Sequence, residues 1–78
     1  MKTKINQLDF TFTNERSINY VVNNHGKRIW HKMTITKTRT RYYLHIIREG
    51  YELPMINTTI KANTKIIDIY GMIENNYN

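Results

Sequence analysis

Two runs of alternating apolar residues in the middle of the chain constrain its fold more than any other feature. In RIWHKMTITK, residues 28–37, Ile29, Met33 and Ile35 share one parity with His31, and Trp30, Lys32, Thr34 and Thr36 take the other. In the stretch that follows, Tyr42, Leu44 and Ile46 alternate with Arg39, Arg41, Tyr43, His45 and Ile47. A period of two marks a strand with one buried and one exposed face, and KTRT at 37–40 is a short polar reversal between the two. Paired antiparallel with their apolar parities on one side, these strands set Trp30 and Lys32 on the same outer face as Arg41, Tyr43 and His45.

The flanking segments extend this pattern. QLDFTFT alternates Leu8, Phe10 and Phe12 with polar residues and reads as a strand near 7–13. In residues 14–24, Ile18, Tyr20 and Val22 suit a strand, whereas Ile18, Val21 and Val22 suit a helical face capped by Asn14 and stopped at Gly26. The β-branched and Asn content favours the strand. NNHGKR supplies Asn and Gly for a tight reversal that needs positive φ. Gly50 ends the second alternating run, and Pro54 fits an edge or a loop. Residues 63–74 fit two states equally. Ile66, Ile69, Tyr70 and Ile73 form a helical stripe with Asn63 as cap, but the β-branched content suits a strand paired back on INTTIK, and Gly71 costs a helix roughly 1 kcal/mol. The fold class is therefore mainly β to α+β: one small domain over 1–78, an antiparallel sheet or small barrel of four to six strands, with a C-terminal helix as the open alternative.

The size matters because 78 residues bury only roughly 60–65% of the surface their unfolded chain exposes, so self-association would be an easy source of extra stability. Cysteine is absent, which excludes disulfides, thiolate zinc sites and cysteine nucleophiles. A cytoplasmic setting fits that composition. The opening MKTKINQLDF has polar residues where a secretion signal needs an apolar run, and no stretch has the length and apolarity of a membrane span.

Charge is distributed unevenly. The formal net charge is +6, and the segment from Arg16 to Arg48 holds Lys27, Arg28, Lys32, Lys37, Arg39 and Arg41 with no acid among them. From Glu49 onward, Glu49, Glu52, Asp68 and Glu74 outnumber Lys61 and Lys65. Cations interleaved with flat rings are the two components of a nucleic-acid surface. On this reading Lys27, Arg28, Lys32, Arg39 and Arg41 hold phosphates, Trp30 and Tyr43 stack on bases, and His45 lies on the same face. DNA and RNA, and single and double strands, are not distinguished by these residues. Abundant Asn, Ile, Lys and Tyr reflect AT-rich codons, as in an AT-rich bacterium or its phage or plasmid. The expected function is a non-catalytic, nucleic-acid-binding accessory or regulatory factor of a mobile element.

Two further readings compete with it. Trp, Tyr and Arg also dominate protein hot spots, so the same face suits a small inhibitor docked on an acidic partner, as in anti-defence or host takeover. Acids folded near the basic face would favour that partner. A basic sheet bearing Arg, Lys, His and Tyr is also compatible, by fold-level analogy alone, with an mRNA-cleaving toxin, although such toxins carry N-terminal helices for which residues 1–13 show no pattern. No phosphate-cradling Gly loop, nucleophile-elbow serine or meaningfully spaced pair of acids is present, so no enzyme activity and no cofactor is expected. Among the histidines, His31 falls on the apolar face and reads as a hydrogen-bonded core residue; with no acid or cysteine close in sequence, no metal site is expected.

Overall fold

The alternating segments pair as their parities require. In the computed structural model, which describes residues 3–77, strands β1 (Glu15–Asn24), β2 (Lys27–Lys37), β3 (Tyr42–Arg48) and β4 (Ile56–Ile60) form one antiparallel sheet in sequence order. A helix, α1 (Ile66–Glu74), follows. Since β1 and β4 are both edges, the sheet is open rather than closed into a barrel. No helix among the described residues is long and apolar enough to cross a membrane.

Each reversal has a local cause. His25 (φ 53°) and Gly26 (φ 78°) occupy the left-handed region in succession, as a two-residue hairpin with the twist of its flanking strands demands. The expected positive-φ asparagine is thus replaced by His25, and Asn24 closes the ladder opposite Lys27. Between β2 and β3 the Thr38 amide donates to the Arg41 carbonyl (2.8 Å) and the Arg41 amide to the Thr38 hydroxyl (3.1 Å). Gly50 (φ 83°) opens the longer β3–β4 connection, which contains Pro54.

The inner parity supplies the core. Met33, Ile35, Leu44 and Ile46 are fully buried, and α1 lays Ile66, Ile69 and Ile73 across them. Burying such side chains contributes about 1.5–3 kcal/mol each, and this outweighs the weak helix propensity of the four isoleucines and Gly71. The open alternative for 63–74 is therefore resolved as a helix. Its cap is not Asn63: the helix begins after Lys65, whose amide donates to the Asp68 carboxylate (3.4 Å). Tyr20 stacks on Tyr70 at 4.0 Å, fastening helix to sheet.

The strand expected near 7–13 does not form. Ile5–Gln7 is a single 3-10 turn, and the Asp9 carboxylate accepts from the Thr11 amide (2.9 Å) and hydroxyl. This Asx turn bends the chain out of extended geometry. Leu8 and Phe10 still pack against the core, Phe10 edge-on to Tyr42, while Phe12 is 96% exposed. The segment is instead fastened beside the helix start. The Ile5 amide donates to the Thr64 carbonyl (2.8 Å) and the Ile66 amide to the Thr3 carbonyl (2.8 Å).

Candidate nucleic-acid interface

With α1 and the N-terminal segment on one side, the other side of the sheet is uncovered. Register places Ser17, Thr34 and His45 in one row, Asn19, Lys32 and Ile47 in the next, and Val21 beside Trp30. Tyr43 lies between Thr36 and Thr59. Trp30 is 48% and Tyr43 39% exposed. The alternation thus puts Trp30, Lys32, Tyr43 and His45 on one outer face, as their parity demands. His45 is half-buried there, and its Nε2 is out of water with no hydrogen-bond partner among the described residues.

The remaining expected cations are split between two ends. Lys27 and Arg28 begin β2 at the His25–Gly26 turn, whereas Arg39 and Arg41 sit in the connection after its last residue. At about 3.4 Å per residue, the ends of β2 are about 34 Å apart, most of the molecule's 39 Å length. Seven of the eight residues therefore form a track along the strands, with cations at both ends and rings between, while Lys27, which has the parity of Ile29 and His31, stands on the reverse side at the turn end. Trp30 and Tyr43 are separated along the track by about 20 Å.

Each end adds a residue that alternation conceals. At the β1–β2 turn end, Lys27, Arg28, Ile29, Arg48, Glu49 and Tyr51 line a cleft. The Arg48 guanidinium lies 3.8 Å from the Tyr51 ring centroid. Parity assigns Arg48 to the core side with Leu44 and Ile46, and there, opposite His31 on β2, it lies 6.0 Å from the Tyr77 ring centroid. At the far end, Arg41, Tyr42, Thr59, Ile60 and Lys61 line a second cleft that holds no acid. Lys61 follows a strand whose pairing with β3 could not be read from its own segment.

The acids are divided as well. Asp68 and Glu74 ride on α1, behind the sheet, where Glu74 accepts a 2.5 Å hydrogen bond from the Tyr20 hydroxyl. That bond, reinforced by burial, pushes the Tyr20 phenol up to about 12. Glu49 stays in front, lining a shallow groove with Asn19, Trp30, Lys32 and Ile47. Glu15 lines an adjoining one with Lys32, Thr34 and His45. Between the ends, Glu15 and Glu49 offset Lys32 on the sheet face, so the positive field belongs to the ends.

Behind the face, His31 is 1% exposed and bonded on both sides. Its Nδ1 lies 3.2 Å from the Tyr20 carbonyl and its Nε2 2.7 Å from the Tyr77 hydroxyl. A carbonyl only accepts, so Nδ1 carries the proton and Nε2 accepts from Tyr77. Burial holds its pKa below the usual histidine value, and the Arg48 charge adds to this. Among the described residues no three His, Asp or Glu side chains gather at metal-binding distance.

Comparison with known proteins finds no matching family, no similar curated protein and no similar solved structure.

Proposed function

We propose that the protein binds a single strand of nucleic acid along its open sheet face, as an accessory or regulatory factor that acts without catalysis. The observation that carries this reading is the track itself: two exposed rings on an uncovered face, with cations concentrated at both ends. Stacking on Trp30 and Tyr43 requires unpaired bases, which a single strand presents and a duplex does not. Lys27 and Arg28 at one end and Arg39 and Arg41 at the other would hold backbone phosphates, with Lys32 and His45 between.

Trp30 is the sole tryptophan, so its emission reports on the face directly. Titration with oligothymidylate or oligouridylate at constant ionic strength should quench Trp30 and shield it from a collisional quencher. Trp30→Ala should weaken binding about 5- to 150-fold, the equivalent of one stacked base, and leave thermal stability nearly unchanged. A Trp30 that responds to neither strand at low salt rejects the proposal.

One observation favours the protein-partner reading as second. The face's own charges cancel, and Val21, Trp30 and Ile47 form an apolar centre rimmed by Asn19, Lys32 and Glu49, the layout of a hot spot. Shielding of Trp30 by an acidic protein and by no oligonucleotide would favour that reading.

A further inference from the structure

We infer that the cleft at the β1–β2 turn end is a phosphate-binding site with Arg48 as its anchoring cation, which deepens the nucleic-acid reading by giving one phosphate a defined seat. Arg48 is half-buried, and its guanidinium lies 3.8 Å from the Tyr51 ring centroid and 6.0 Å from that of Tyr77. Rings hold the plane of a guanidinium but accept none of its in-plane N–H groups. Arg48 Nε is out of water with no acceptor among the described residues. The one carboxylate ion pair among those residues is Arg16 with Asp9, at the other end of β1, so Arg48 has no counter-ion among them. A partly desolvated charge left in that state is unfavourable, and an oxyanion relieves it.

The neighbouring acid, Glu49, lines the same cleft but makes no ion pair with Arg48. Glu49 is carried toward Trp30 and Lys32, while Arg48 remains with Tyr51. Lys27 and Arg28 line the same cleft, giving three cations to one acid. That excess, with a planar donor fork held in place, matches a phosphate better than a carboxylate.

Backbone amide NMR shifts of residues 27, 28 and 48–51 test the site, with inorganic phosphate titrated against acetate and chloride at matched ionic strength. Saturable shifts with phosphate alone are expected. Arg48→Lys, which keeps the charge and removes the fork, should weaken binding at least tenfold. Should that variant fail to fold, the Lys27→Ala, Arg28→Ala double variant of exposed positions should weaken it likewise. Tighter binding of 5′-phosphorylated than of unphosphorylated oligothymidylate identifies a terminal phosphate as the source, and equal binding identifies backbone diesters. Shifts that are linear, reproduced by acetate or chloride, or unaltered in these variants overturn the site. Saturation by phosphate without any oligonucleotide binding sinks the nucleic-acid reading alone; oligonucleotide binding without phosphate shifts sinks this site alone.

Discussion

Among single residues, His31 is the one whose chemistry the surroundings dictate most fully. The folded protein favours its neutral ring, so below the ordinary pKa of 6.5 the unfolded chain takes up a proton that the folded chain resists. The stability contributed by the neutral ring is complete above pH 6.5 and is lost as pH falls through the lower folded-state value. Melting temperature measured across pH 7.5 to 4.5 should therefore decline on the acid side, and His31→Gln should remove the part of that slope due to this residue. If His31→Gln melts with the parental pH profile, the ring takes up its proton as readily in the fold as in the unfolded chain. His31 was recognisable from sequence as a core histidine because it shares a parity with Ile29, Met33 and Ile35. Its acceptor and donor, Tyr20 on β1 and Tyr77 after α1, were not, since both contacts depend on how distant segments return.

Elements divide according to what specifies them. The β1–β2 hairpin and β3 were legible because alternation and turn chemistry agree locally. Residues 7–13 misled because Asp9 and Thr11, the polar half of a strand pattern, are also the residues that make an Asx turn. The helix at 66–74 was undecided because tertiary burial, not propensity, selects it. These differences can be tested at two glycines. A methyl added at Gly71 meets no atom within 4 Å, and its backbone is helical, so Gly71→Ala should stabilise the protein by about 0.4–1 kcal/mol. Gly26 has equal space but φ 78°, so Gly26→Ala should cost roughly 1–2 kcal/mol from backbone conformation alone. Urea denaturation of both variants measures the contrast, and equal effects would contradict the assigned helix and turn.

For the whole molecule, the sequence disclosed the cationic segment but not its division. Lys27 and Arg39 are near neighbours in composition, and only the straight run of β2 reveals that they stand at opposite ends. This makes the salt dependence informative. Five phosphates neutralised along the track correspond to a log–log slope of about −3.5 on a single strand, or roughly 100-fold weaker binding from 50 to 200 mM salt. Removing Arg39 and Arg41 together should flatten the slope by about 1.4, and oligonucleotides too short to bridge both ends should already show the flatter value. A slope unchanged by the double variant would place the strand elsewhere.

The clasp that joins Thr3 and Ile5 to Ile66 and Thr64 gives the fold an order of assembly. Each sheet pairing links consecutive segments and can zip outward from its own reversal, at small entropic expense. The clasp unites positions nearly a whole chain apart, and its loop closure becomes affordable only once the meander has drawn those positions together. It acts as a latch: absent while the hairpins nucleate, closed last over Ile5 and the helix start, and therefore a determinant of how slowly the finished protein opens rather than of how quickly it forms.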